Sequence, residues 1–455
     1  MASVKKYEMD MCSGSIPKKM MRFALPLMFS SLLQLLFNAA DMIVVGRFAG
    51  DTAFAAVSSN NALINLLTNL FIGLSVGANI ITAQSYGAGD HERVQKTVHT
   101  SMLISFLSGI FLTVVGVAGA RQFLTWMQAP GNVLELATLY LRIYFLGMTS
   151  TMVYNFGSAI LRAVGDTKRP MYFLLLSGVL NVILNLILVI VFHMSVAGVA
   201  IATAVSQTVA AILVVRCMIL TPGVIHLDLR KLRIHKDVLL RVFRVGIPAG
   251  LQSALFSISN VVIQSSINTF GESVIAGNSA AANIEAFIYV TMNAFQQAAL
   301  CFVSQNYGAG NHKRITKITL WGEGYAMAFG LVLGFLAFRF GHPLLGIYSS
   351  SPEVIQAGLI RMGITTATYF TIGNMEVFVG ALRGLGYSLL TMIISLFGSC
   401  ALRLIWIATI FQIPRFHTLE VLYLSYPITW ALTALILGIC FVIARRRLGP
   451  GKDEG

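Results

Sequence analysis

The chain reads its first half twice. Gln84-Ser85-Tyr86-Gly87-Ala88-Gly89 returns as Gln305-Asn306-Tyr307-Gly308-Ala309-Gly310, 221 positions later. Leu161-Arg162-Ala163-Val164-Gly165 returns as Leu382-Arg383-Gly384-Leu385-Gly386 at the same offset, and Pro26 and Pro130 return as Pro248 and Pro352, 222 positions on. Anchors spread along a whole half with one residue of drift mark a duplication. Both copies are strongly apolar. A duplicated set of membrane helices with a site between the copies is the pattern of a secondary transporter.

Only 11% of the 455 residues are charged and mean hydropathy is +0.77, whereas a soluble domain carries about 25% charged residues. Apolar runs long enough to cross a bilayer fall near 23–45, 53–83, 98–120, 133–160, 171–193, 196–219, 246–268, 274–304, 316–339, 353–381, 388–411 and 420–444. The expected fold is therefore all-α: twelve transmembrane helices in two six-helix bundles. Met1 to Met21 is polar and basic, and the apolar run from Phe23 is too long for a signal-peptide core. Cys12, Cys217, Cys301, Cys400 and Cys440 lack metal-ligand or redox spacing, so neither a disulfide framework nor a zinc site is expected.

The net charge of +14 is explained by topology rather than by nucleic acid. The N-terminal tail, the loops after even-numbered runs and the C-terminal tail, together with Arg216 and Lys317 at the run ends beside them, hold 25 of the 32 Lys and Arg residues, among them Lys5, Lys6, Arg93, Lys96, Lys168, Arg169, Lys313, Arg314 and Arg445-Arg446-Arg447. The loops after odd-numbered runs, with Arg339 at the very end of the ninth run, hold four: Arg47, Arg121, Arg339 and Arg415. That bias predicts a multi-pass protein of the cell membrane with both termini in the cytoplasm. Six runs per half give both copies one orientation, so their pseudo-two-fold axis is expected along the membrane normal. The expected domains are 1–220, a cytoplasmic linker at 221–245, and 246–455. The linker opens on the helix stop Thr221-Pro222-Gly223. It then interleaves Arg230, Lys231, Arg233, Lys236, Arg241 and Arg244 with Leu232, Val238, Leu239, Val242 and Phe243. It reads either as an amphipathic helix lying on the membrane face or as a plain solvated linker.

Asp41 is the outstanding residue. It lies well inside the first run, where a carboxylate costs at least about 2.5–3.5 kcal/mol on insertion scales, and such a group is kept for a cation, a proton or a partner. Asn181 and Asn185 stand i, i+4 on the fifth run and so share one helix face. Their amides suit a hard cation or a carboxylate, and equally an interhelical hydrogen bond. Glu376 on the tenth run and Glu285 near the start of the eighth are candidates for a cavity-lining anion that binds cationic solutes. For Glu285 the alternative is a carboxylate favoured by a helix N-terminus. Gly73-Leu74-Ser75-Val76-Gly77 matches a nucleophile pattern, but that chemistry needs a strand-to-helix elbow. Inside a membrane helix these small residues are packing residues. No phosphate loop or catalytic constellation appears, so neither an enzyme nor an ATP-driven motor is expected in this chain.

These features together resemble the multidrug and toxic compound extrusion (MATE) family of antiporters. The carriers are the duplicated six-span halves, Asp41 followed by Val44-Val45-Gly46, the two Gln-x-Tyr-Gly-Ala-Gly turns, and Leu-Arg-x-x-Gly after the fourth and tenth runs. The resemblance spans about Pro17 to Arg447. It implies two bundles opening alternately to each side of the membrane, and export of bulky, often cationic organic compounds in exchange for H+ or Na+, without a cofactor. A monomer is expected. The resemblance also implies a coupling-ion site at Asp41, Asn181, Asn185 and Thr203, in the manner of the prokaryotic branch. Asn185 departs from that branch, which has a carboxylate there, and this leaves the ion open between H+ and Na+. A flippase of lipid-linked or polyanionic cargo keeps the architecture and would use Arg142, Arg361 and Arg403. A channel is the reading from another class, and it lacks a pore-loop signature.

Overall fold

The computed structural model describes residues 7–127 and 131–449; Lys5, Lys6 and Pro130 lie outside them. Among the described residues there is no strand, and each of the twelve apolar runs falls on helix. The helices are α1 (Ile16–Phe48), α2 (Asp51–Gly87), α3 (His91–Trp126), α4 (Gly131–Leu146), α5 (Met148–Ala163), α6 (Lys168–Asn185), α7 (Ser195–Leu220) and α8 (Lys236–Asn268). They continue as α9 (Glu272–Ala309), α10 (His312–Arg339), α11 (Gly341–Gly346), α12 (Pro352–Thr365), α13 (Tyr369–Gly384), α14 (Ser388–Ser395), α15 (Leu402–Ala408) and α16 (Leu419–Arg447). Among the described residues ten helical stretches are long and apolar enough to span, and α4 with α5, bent by 46°, makes an eleventh. The twelfth is α12 with α13, which carries Arg361 and Glu376 in its interior and Arg383 in its last turn.

The duplication is visible in the backbone. Gly50, Gly89 and Gly165 take φ of 86°, 71° and 90°, and their repeats Gly271, Gly310 and Gly386 take 97°, 76° and 92°. At Gly89 and Gly310 the left-handed conformation ends a helix within one residue and turns the chain into a polar loop, which a side chain at that position would resist. α1 and α8 are both 33 residues long with an internal proline, Pro26 and Pro248, each of which removes one backbone hydrogen bond from its helix.

Contacts divide the chain into two units. One takes the stretch up to Asp10 with Phe29–Ala254; the other takes Met11–Met28 with Leu255–Gly455. The boundaries therefore fall inside α1 and α8 rather than at the loop between the sequence halves. In the second unit, Gln305 and Asn306 of the repeated turn hold the N-terminal segment. Met11 N donates to Gln305 Oε1 at 3.2 Å, and Asn306 Nδ2 donates to Met11 O at 3.0 Å.

Segment 221–245 is not one helix. After Leu220 the chain runs irregularly through a single 3-10 turn, Leu229–Lys231, until α8 begins at Lys236. The reason lies on α3, whose side chains satisfy the linker backbone that a helix would otherwise satisfy. Gln95 Nε2 donates to Gly223 O and Val224 O, Asp228 N donates to His99 Nε2 at 3.2 Å, and His235 N donates to Thr100 Oγ1 at 3.1 Å.

Gly73 and Gly77 do pack a helix. They face Gly246 and Gly250, so α2 and the first part of α8 touch backbone to backbone: a Cβ at Gly73 would lie 2.2 Å from Gly250 N, and one at Gly77 2.4 Å from Val242 O. Close approach through small residues is a main source of helix association in lipid. Gly73→Val therefore destabilises the protein by about 1–3 kcal/mol, read as a lower melting temperature and folded yield in detergent. Gly324→Val, where nothing lies within 4 Å of an added Cβ, leaves both unchanged.

Candidate functional site

The first cluster is built within the first unit by α1, α6 and α7. Gly178 on α6 lets Phe37 of α1 lie against it; an added Cβ there would meet the Phe37 ring at 1.8 Å. One turn further along α1 comes Asp41, and further along α6 come Asn181 and Asn185. Asn185 Nδ2 donates to Asp41 Oδ1 through a short hydrogen bond and also reaches Asn181 Oδ1 at 3.4 Å. Asn181 Nδ2 in turn donates to Thr203 Oγ1 of α7 at 3.4 Å. The four residues thus form one connected chain. Asn185 is 1% exposed and Asn181 6%, while Asp41 and Thr203 are half-buried. Tyr140 and Tyr144, with ring centroids 5.9 Å apart, lie within electrostatic reach of the carboxylate.

Directly after Asn185 the helix widens to a π-helical segment, Leu186–Val191. Such segments gather at functional sites because they re-aim side chains without ending the helix. With its amide turned toward Asp41, Asn185 leaves its own Oδ1 buried and without a hydrogen-bond partner. The cluster can therefore do two things. It can stabilise an ionised Asp41 through a donor, or it can offer oxygens from Asp41, Asn181, Thr203 and a reoriented Asn185 to a hard cation.

Glu376 and Glu285 occupy separate clusters in the second unit. Glu376, on α13, is buried and held by neutral groups of α9: Tyr289 Oη donates to Oε1 at 3.3 Å and Gln296 Nε2 to Oε2. Asn293 Nδ2 donates to Gln296 Oε1 at 3.2 Å, and Arg383 lies within electrostatic reach. Glu285 is neither an open cavity-lining anion nor a helix-start carboxylate. It sits more than three turns into α9, far from the N-terminus, and its carboxylate is not free. Arg361 of α12 forks onto it, Nε to Oε1 at 2.9 Å and Nη2 to Oε2 at 2.7 Å, and Thr365 Oγ1 adds a third donor at 2.6 Å. Arg361 also reaches Asn278 and lies against the Tyr423 and Tyr426 rings at 5.8 and 5.6 Å. A carboxylate so balanced has little charge left for a cationic solute.

Spacing alone did not reveal Asn278, Tyr289, Gln296 or the pairing role of Arg361, because each acts across helices. Glu323 was legible: it is a carboxylate inside the ninth run, and its Oε1 is buried without a hydrogen-bond partner, so the rule that singled out Asp41 applies to it too.

The MatE family profile matches residues 26–187 and 248–408, more than half of the chain and once in each sequence half. The chain belongs to the MatE family. This MatE chain is 29% identical to the probable multidrug resistance protein YoeA of Bacillus subtilis, covering 93% of both chains. It is 26% identical to the probable multidrug resistance protein NorM of Thermotoga maritima, over 84% of this chain and 82% of that one. Among solved structures it matches a MATE in complex with MaL6 with a TM-score of 0.91 at 22% identity, covering 96% of this chain and 98% of that one. It matches a MOP superfamily transporter from Pyrococcus furiosus, described by a reverse polarity of its binding pocket that suggests a different function, with a TM-score of 0.89 at 22% identity and coverage of 96% and 97%. The fold is thus the all-α one of these transporters, twelve spans in two six-helix bundles. A MatE protein is a multi-pass membrane transporter and not an enzyme.

Proposed function

We propose that this MatE protein exports organic, often cationic compounds from the cytoplasm in exchange for protons taken up at Asp41. The observation that carries the proposal is the single carboxylate in the Asp41–Asn185–Asn181–Thr203 chain. One ionisable group backed by an amide donor can load and release a proton, whereas a tightly held Na+ is better served by a second carboxylate, and Asn185 stands in that place. The multidrug resistance and export functions named for the relatives support the cargo class. The lysine and arginine bias supports a plasma-membrane protein with both termini in the cytoplasm. In vesicles containing the purified protein, an imposed pH gradient alone drives dye transport and a Na+ gradient alone does not. The reverse result makes Na+ the coupling ion, and transport indifferent to both ends the antiport reading.

Glu376 is the cargo residue on this reading, because a buried carboxylate whose direct hydrogen-bond donors are the neutral Tyr289 and Gln296, with Arg383 in electrostatic reach rather than paired to it, attracts a cation more strongly than one in water. Glu376→Gln weakens efflux of cationic dyes at least about tenfold, a loss near 1.4 kcal/mol, and leaves neutral substrates within twofold. Equal losses for both would make Glu376 a structural residue.

A further inference from the structure

We propose that the first unit carries a binding site for one anionic phospholipid, separate from the transport site: a basic recess takes the headgroup phosphate and an adjoining apolar groove takes an acyl chain. The recess, about 630 Å³, lies where the linker meets the start of α3. Its walls include Lys96, His99, His226, Lys231, Arg233 and His235, with Glu92 the one carboxylate among the lining residues. Glu92 is already bound to Lys96 at 2.6 Å along the same helix. His99 is used by the fold, with Nδ1 against Gln95 O at 2.8 Å and Nε2 accepting from Asp228 N. Lys231 has only a loose contact with Asp228, at 3.6 Å, and is 77% exposed. His226 Nδ1 is buried without a hydrogen-bond partner. Lys96, Lys231 and Arg233 line the recess against the single carboxylate of Glu92, and the stretch 221–244 that supplies part of its wall carries six Lys and Arg against Asp228 and Asp237, so its field favours an oxyanion.

The groove, about 540 Å³, is lined by Phe106, Val153, Ile212, Val215, Arg216 and Leu220, along with a few hydroxyl-bearing residues. Two of those hydroxyls satisfy each other, Ser150 with Thr208 at 3.0 Å, so an occupant gains little from polar groups there. Recess and groove share two helices. On α3, His99 lines the recess and Phe106 the groove, seven residues and two turns apart on one face, a drop of about 10 Å. On α7, Arg216 and Leu220 line the groove, and Pro222 and Gly223, just past its end, line the recess. A cationic pocket at the ends of the helices with an apolar slot about 10 Å deeper has the order of a phospholipid's own parts. A soluble phosphate compound would leave the groove unused, and a zwitterionic lipid would gain nothing from the net positive charge.

The test uses the full chain in detergent with equal amounts of phosphatidylglycerol and phosphatidylcholine, with retained lipid counted by native mass spectrometry. The expected result is preferential retention of phosphatidylglycerol. Lys231→Gln combined with Arg233→Gln lowers that retention about thirtyfold, the effect of removing two cations near the surface. Val215→Trp, which fills the groove, lowers it as well, and unchanged melting of the exposed Lys231/Arg233 variant shows that this loss is not unfolding. Equal retention of the two lipids, undiminished phosphatidylglycerol in the Lys231/Arg233 variant, or its displacement by millimolar glycerol 1-phosphate overturns the assignment, the last in favour of a soluble phosphate site.

Discussion

Asp41→Asn stops gradient-driven efflux and leaves the protein folded. Asparagine keeps the size of the side chain and an oxygen that accepts from Asn185 Nδ2, so the chain through Asn181 to Thr203 persists and stability changes by no more than about 1 kcal/mol, the net worth of a hydrogen bond. The charge and the exchangeable proton are lost. Antiport requires the coupling ion to bind the two conformations with different affinity, and a side chain that never ionises has no such difference to offer. Vesicles holding the Asp41→Asn protein therefore transport at the rate of empty vesicles, a loss of at least about a hundredfold if Asp41 supplies even 2.7 kcal/mol of coupling. Asn185→Asp is the complementary change. It places a second carboxylate on the first, and the pair attracts a hard cation, so a Na+ gradient begins to drive transport. Wild-type pumping by the Asp41→Asn protein would remove the basis of the proposed mechanism.

The largest effect on stability is expected at Arg361. Its two hydrogen bonds to Glu285 are buried, with the side chains 9% and 6% exposed. Arg361→Met leaves Glu285 without its counter-ion in a low-dielectric interior, and breaking a buried pair from one side costs about 3–5 kcal/mol. Removing both charges, with Glu285→Gln and Arg361→Met together, recovers most of that loss, because the cost of the single change is mainly the stranded carboxylate. Thermal unfolding in detergent reads both. A double variant no more stable than Arg361→Met alone would show that the loss comes from the missing Arg361 contacts and not from a stranded Glu285 carboxylate. Transport of cationic dyes by the double variant should survive, since Glu285 is occupied by Arg361 rather than open to cargo.

Some of this was determined by the sequence alone. A backbone in lipid must satisfy its own hydrogen bonds, so apolar runs of sufficient length had to be helices, and the repeat at 221 residues had to produce two copies of one arrangement. The left-handed glycines Gly89 and Gly310 follow from the same repeat, and the packing role of Gly73 and Gly77 from their place within a span. Asp41 stood out because insertion cost depends on a residue's own depth and charge. The partners of these residues were beyond such reasoning. Periodicity reports neighbours three or four positions away, whereas Glu285 meets Arg361 across 76 residues and Asp41 meets Asn185 across 144. Only the resemblance to a family joined Asp41 to Asn185, and nothing joined Glu285 to Arg361. The linker shows the same division. Its alternating charges and apolar residues matched an amphipathic helix, but only from Lys236 on is it helical, and before that Gln95, His99 and Thr100 of α3 took its backbone groups instead. Burial cost and helical period are properties of a position; pairing belongs to the packed chain, and only the tertiary structure decides it.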